Sequence, residues 1–421
     1  MTPLPNALPR SDRQSPARDS RPCSAPRIPL CEPFLGGREW EYVRECLDSG
    51  WVSSVGPYVT RFERDVAMRL GSRYSVAIVN GTSALHIALK IVGVALDDEV
   101  LVSTMTFIAP ANAIRYLGAW PVFIDAEPRY WQMDVEKVAD FLARDCRWTA
   151  GVLRNKHTGR RVSAMLPVHV LGHPVDMNPL MELAERYRLV VIEDATESLG
   201  AYYHGRPVGR LGHAACLSFN GNKVITAGGG GMLVTDNEEW ARRAKYLTTQ
   251  AKDDGLEYVH QEVGYNYRLT NVQAALGVAQ LERLDQHVEA KRRIAEQYAS
   301  ALASVPGIEC IREAEWARGA FWMYTVLIDA PTFGMTSRTL MHVLGESGIE
   351  TRPLWQPLHC SRAHDGAYAV DCTTAERLHR DGLSLPSSVG LSLDAQAIVT
   401  SRIQGACAAH AGARVPFTAP S

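Results

Sequence analysis

The chain has 421 residues, 46% of them hydrophobic and 21% charged, with a formal net charge of −2. That composition is globular and long enough for two domains with a substantial core. Acidic and basic residues are mixed, so no field selects nucleic acid or an anionic membrane, and small molecules and protein partners are the expected ligands.

Residues 1–27 are rich in Pro, Ser and Arg and poor in large apolar side chains, which predicts a disordered extension. From about Val76, short β-branched runs alternate with stretches of helical period, the pattern of βαβ units and an α/β class. The expected strands are 76–79, 99–103, 121–125, 164–170, 189–194, 214–219 and 231–236. Several are apolar on both faces, as a mostly parallel sheet covered by helices requires. Beyond Thr270, apolar residues recur at helical spacing for about thirty positions, predicting a long linking helix. A strand over 320–329, a helix over 336–348 and a proline-containing segment at 351–359 then suggest a smaller α+β unit. The expected organisation is a large domain over 28–255, a linking helix with the small domain over 256–410, and a tail over 411–421.

Nine cysteines lie far apart without a CxxC pair, so neither a zinc site nor a disulfide framework is expected. No apolar run approaches the length that spans a bilayer. The chain reads as a reduced, cytoplasmic protein.

Three stretches carry candidate chemistry. In "VNGTSALHIALK" (79–90) a strand runs into a helix, whose free N–H groups at Gly81, Thr82 and Ser83 suit a phosphate; taken alone, the stretch reads first as an ordinary capped turn. It is neither a nucleoside-triphosphate loop nor a dinucleotide fingerprint. In "LVVIEDATES" (189–198), Glu193 and Asp194 end a buried strand, where ligands of open α/β sheets bind and where an acid also caps turns. In "SFNGNKVITAGGGGMLVTD" (218–236), Lys223 stands between an apolar run and glycines that let backbone approach a ligand closely. A phosphate cradle, a strand-end carboxylate and a lysine together are what pyridoxal 5′-phosphate needs. His169 and His173 straddle a strand end rather than one helix face, so no metal pair is expected; a strand histidine facing the pocket is the better reading.

These stretches, with "GWVSSVGPYVTRFE" (50–63), "STMTFIAPANAI" (103–114), "PVHVLGHPVDM" (167–177), "GYNYRLTNVQAALG" (264–277) and "TRPLWQPLH" (351–359), resemble blocks of the DegT/DnrJ/EryC1/StrS sugar aminotransferases, in the family's order. The resemblance covers about residues 28–388. It implies the pyridoxal-phosphate-dependent transferase fold of type I. It also implies that Lys223 joins the cofactor's aldehyde, Asp194 pairs with its ring nitrogen and Phe107 stacks on its ring. Gly81, Thr82, Ser83 and Ser218 would receive the phosphate, together with Asn266 of the partner subunit in a homodimer with shared active sites. His359 is implied as a residue approaching the substrate. Glu197 stands where most of the family has glutamine beside the phenolic oxygen, and an ionised carboxylate there would be repulsive.

The implied reaction takes an amino group from L-glutamate to a nucleotide-linked 4-keto-6-deoxy hexose, UDP- or GDP-linked and open to a 2-acetamido group. "EDATES" and "SFNGNK" look like the LegC-like subgroup, associated with nonulosonic acids and bacterial surface sugars. A sugar dehydratase of the family would carry histidine at position 223, so Lys223 argues against that alternative; a sensory cofactor-binding protein is the other.

Overall fold

Short Val- and Ile-rich runs become the strands of one sheet, and the amphipathic stretches between them cover it. The computed structural model describes residues 27–254 and 256–412. The extension expected over 1–27, but for Arg27, and the tail beyond residue 412 lie outside the described residues. The principal strands are β1 (Tyr74–Ile78), β2 (Glu99–Ser103), β3 (Trp120–Ile124), β4 (Val162–Leu166), β5 (Val190–Asp194), β6 (Ala214–Ser218) and β7 (Gly231–Thr235). Farther along come β8 (Ile308–Cys310), β9 (Tyr324–Ile328), β10 (Arg352–Pro353), β11 (Tyr368–Val370) and β12 (Gly382–Leu385).

The large sheet runs β1-β7-β6-β5-β4-β2-β3-β11. From β6 to β11 its neighbours are parallel, while β7 is antiparallel to both β1 and β6. The cause is the connection: residues 219–230 contain no helix, and without a crossover the chain returns antiparallel. That connection carries Lys223. It therefore lies at the carboxyl ends of the parallel strands, the edge where such sheets bind ligands. The strand expected over 164–170 stops at Leu166, because Pro167 has no N–H for a ladder.

The principal helices are α1 (Glu39–Ser49), α2 (Pro57–Leu70), α3 (Gly81–Ile91), α4 (Asn271–Leu281), α5 (Leu284–Leu302), α6 (Ser337–Glu346) and α7 (Leu393–Gly412). The single long helix expected beyond Thr270 is two helices, broken at Arg283 (φ −111°, ψ 5°). The break lets them serve different neighbours: α4 packs its small residues against α1 and α2, and α5 packs on α7.

A second, antiparallel sheet runs β8-β9-β12-β10, with α6 against it and α7 packed on α6. The strand expected over 320–329 begins only at Tyr324. Before it the chain turns: Phe321 has φ 46°, and the Ala320 N–H donates to the Gly172 carbonyl at 2.8 Å. β11 comes from the C-terminal stretch yet closes the edge of the large sheet beside β3. The eight described cysteines are free thiols, and no helix among the described residues is long and apolar enough to cross a membrane.

Candidate active site

The carboxyl ends of β5 and β6, the start of β7 and the N-terminus of α3 surround a cavity of about 370 Å³. Strand alternation sorts the two acids that end β5. Asp194 turns into the cavity, where its side chain accepts the Thr196 N–H at 3.1 Å and burial raises its carboxyl pKa. Glu193 turns away and is fully buried. It accepts N–H groups from Gly209, Leu211 and Gly212 at 3.0, 2.6 and 2.7 Å.

The fourth partner of Glu193 is His169 Nε2, at 3.0 Å. Because His169 Nδ1 accepts the Val175 N–H at 3.0 Å, the ring proton sits on Nε2 and donates to the acid. His169 is thus a satisfied core residue, contrary to the expectation that it faces the pocket. His173 is also spoken for: Nδ1 donates to the Pro174 carbonyl, Nε2 accepts the Ala314 N–H, and burial pushes the ring's pKa down to about 4.

At the start of α3, Asn80 caps the helix by accepting the Ser83 N–H at 2.8 Å. Gly81 and Thr82 line the cavity, whereas Ser83 is buried behind them with its N–H engaged. The backbone passes close here. A Cβ placed on Gly231 would lie 2.5 Å from the carbonyl carbon of Asn80, and one on Gly81 would lie 3.0 Å from Ser218 Cβ. The glycine run thus lets β7 lie against the cradle without filling it.

Lys223 is followed by the buried anchors Val224 and Ile225, so the loop is held and its side chain is only 14% exposed. Its Nζ lies 3.6 Å from Glu197 Oε1 and 4.2 Å from the centroid of the Trp322 ring. Trp322 is fixed in turn, donating Nε1–H to the Asn222 carbonyl at 2.6 Å and stacking on Trp355 with an interplanar angle of 6°. Glu197 is buried, accepts the Leu171 N–H on Oε2 at 2.8 Å, and has its pKa pushed up to about 7 by desolvation.

Phe107 and Ser218 also line the cavity, and Phe107 is 55% exposed. Asn266 is exposed and does not line the cavity of its own chain. His359 does not line it either: Nδ1 pairs with Thr104 Oγ1 at 2.9 Å and Nε2 with Glu376 at 3.2 Å, so it is a satisfied loop histidine. His359, Cys360 and Glu376 bring possible metal-ligand atoms within 4.8 Å of one another, an approach that their mutual hydrogen bonds explain. Trp322, Trp355 and Leu171 went unnoticed as site residues in the sequence. Their only local signal is two tryptophans in short apolar segments that flank strands of the second sheet.

A cradle that one Cβ would fill, a buried carboxylate and a sheltered amine fit pyridoxal phosphate. The description of the DegT/DnrJ/EryC1/StrS aminotransferase family matches residues 34–404. The chain belongs to this family. It is 39% identical over 368 residues to the GDP-perosamine synthase of Caulobacter vibrioides, covering 87% of this chain and 95% of that one. It is 37% identical over 374 residues to EpsN of Bacillus subtilis, described as a putative pyridoxal phosphate-dependent aminotransferase, covering 88% and 93%. Among solved structures, the aminotransferase TlmJ from Streptoalloteichus hindustanus superposes with a TM-score of 0.82 at 28% identity, covering 91% and 99%. This member of the DegT/DnrJ/EryC1/StrS family is therefore a pyridoxal-phosphate-dependent sugar aminotransferase of fold type I.

Proposed function

We propose that the enzyme transfers the amino group of L-glutamate to C4 of a GDP-linked 4-keto-6-deoxy hexose, giving a 4-amino sugar for a surface glycan. The observation that carries this reading is Lys223, a sheltered lysine facing a buried Asp194 across a cavity floored by the N-terminus of α3. The likeness to a GDP-perosamine synthase supports the GDP-linked substrate over a UDP-linked one.

When bound, pyridoxal phosphate supplies an electron sink for breaking the donor's C–H bond. In our reading Asp194 holds the ring nitrogen, with its negative charge facing the proton there. Gly81 and Thr82 meet the phosphate with the positive end of α3, and Ser218 meets it with its hydroxyl. Phe107 covers the ring. Lys223 anchors the aldehyde carbon, then takes the proton from the donor's α-carbon and later delivers one at C4 of the sugar. Trp322 and Trp355 wall the same cavity and exclude water from Nζ.

The enzyme acts, in this reading, as a homodimer in which Asn266 reaches the phosphate of the partner subunit. Its support is the exposed position of Asn266 and a run of exposed apolar side chains just before it, Leu256, Tyr258, Val259 and Val263. The decisive test incubates purified enzyme with L-glutamate and a panel of GDP- and UDP-linked 4-keto-6-deoxy sugars, reading amine product by mass spectrometry. Amination of the GDP sugar supports the proposal. Preference for a UDP sugar would move the substrate, and inertness to every keto sugar would overturn it.

A further inference from the structure

Two buried carboxyl groups, Asp194 and Glu197, face the cavity, and among the described residues Lys223 is the only cation that lines it. With all three ionised, the site would hold a net negative charge largely out of water. Such an arrangement is relieved most readily by keeping a proton on one acid.

The geometry selects Glu197. Its Oε2 is committed as an acceptor to the Leu171 N–H, so only Oε1, which faces Lys223 Nζ at 3.6 Å, is free to carry a hydrogen. The group that fixes it is built under strain. Leu171 sits at φ 59°, ψ 13°, a left-handed conformation that is sterically costly for leucine. The surroundings impose that turn, since the neighbouring Gly172 carbonyl accepts the Ala320 N–H and so ties it to the segment bearing Trp322. A strained residue aimed at a cavity acid is an observation of the kind that marks a functional device.

Resting on the reading that pyridoxal phosphate joins Lys223, we infer that Glu197 holds an exchangeable proton at Oε1 and passes it to and from Lys223 Nζ. In each transfer, made while Lys223 is released as a free amine, the O–H bond breaks and an N–H bond forms, turning a neutral acid and a neutral amine into carboxylate and ammonium. The pair's net charge stays zero throughout. Asp194, paired with the ring nitrogen, remains the fixed anion. The ionisable neighbours are few: Lys223 on the β6–β7 connection, Asp194 at the end of β5, and His169 on the segment of Leu171, whose Nε2–H is turned to Glu193. Burial, the largest influence on Glu197, raises its proton affinity into the neutral range and makes the exchange accessible.

The test begins with cofactor-free protein. Infrared difference spectra between pH 5.5 and 9 are expected to show a protonated-carboxyl band that disappears across neutrality and is missing in Glu197→Gln. In parallel, the dissociation constant of pyridoxal 5′-phosphate, read by quenching of tryptophan fluorescence, should change over the same pH step by about tenfold more in the wild type than in Glu197→Gln, whose remaining dependence belongs to the cofactor's phosphate and the lysine. Glu197→Asp, which keeps the carboxyl on a shorter arm, should retain a band with a displaced midpoint. That variant serves if the glutamine protein does not fold. A carboxyl band that is absent at every pH, or a binding profile shared by wild type and Glu197→Gln, would overturn the inference. The infrared reading needs neither cofactor nor sugar, so inertness in the sugar panel would count against the proposed function and leave this result standing.

Discussion

Glu193 and Glu197 stand four residues apart, are both buried, and each faces a basic side chain, yet the two sites are built in opposite ways. Behind β5, Glu193 has three backbone N–H partners and a histidine whose tautomer is fixed, leaving no lone pair idle. In the cavity, Glu197 has one backbone partner and a lysine 3.6 Å away with open space around it. A fully satisfied pair ties down chain: here it clamps the 209–212 loop to the 169–175 segment. An under-satisfied pair keeps the capacity to exchange a proton or bind a ligand, at the cost of holding a charge or a proton in an unfavourable place.

Mutating the two sides therefore has different consequences. On the cavity side the largest effect comes from Lys223→Ala, which removes the amine in our mechanism. Turnover is expected to fall by about a thousandfold or more, while thermal stability of the cofactor-free protein changes little. Stopped-flow measurement of the glutamate half-reaction reads the first quantity and calorimetry the second. On the other side, Glu193→Ala leaves His169 and three N–H groups without their acceptor. We expect a loss of about 3–5 kcal/mol in unfolding free energy, measured by urea titration. A soluble Glu193→Ala protein of wild-type stability would mean that the clamp contributes nothing and that the contrast is illusory.

Glu197→Gln should act in the reverse sense, and its effect depends on pH. The folded protein holds the Glu197 proton up to about pH 7, whereas an unfolded glutamic acid with the reference value 4.5 has already lost it. Between those values the folded state binds the extra proton, so wild-type stability falls as pH rises from about 4.5 to about 7 and is level above. The glutamine variant lacks this dependence. Relative to it, the wild type should lose up to about 3 kcal/mol over that window, with the variant the more stable of the two at pH 8. Urea midpoints of the cofactor-free proteins at pH 5 and pH 8 measure the difference; parallel pH profiles would mean that Glu197 holds no extra proton in the folded state.

What was legible in the sequence follows the same line. Strands, the α3 cradle, Asp194 and Lys223 are local features, written in β-branched runs, strand-end acids and glycines within a few residues of each other. The withdrawal of Ser83 was not read: its N–H was counted among the free donors, whereas the side chain of Asn80 accepts it at 2.8 Å. The remainder is tertiary. Trp322 reaches Lys223 only because Phe321 turns left-handed ahead of β9, and β11 joins β3 across more than two hundred residues. His359 stood as a site residue through the family resemblance, and His169 through its place at the end of a strand. Only their partners, Thr104 with Glu376 and Glu193 with the Val175 N–H, reveal them as satisfied.

The smallest expected effect tests what holds the cavity side in place, given that hydrogen bonds do so behind β5. There the structural element is close backbone approach: a Cβ on Gly231 would sit 2.5 Å from the Asn80 carbonyl carbon and 2.7 Å from the Gly81 nitrogen. No rotamer change relieves contact between a Cβ and a peptide, so in Gly231→Ala either β7 moves away from β1 or the cap at Asn80 opens. Overpacking of this kind costs about 2 kcal/mol, and the displaced cradle should also weaken retention of pyridoxal phosphate. Gly221 is the matched control, on the same connection as Lys223, with no heavy atom within 4 Å of an added Cβ. Gly221→Ala should therefore leave both quantities within error or add slightly to stability by restricting the unfolded chain. Calorimetry and fluorescence-monitored cofactor binding on the pair decide the matter, because equal behaviour of the two alanine variants would leave the passage of β7 beside Asn80 without a role in shaping the cradle.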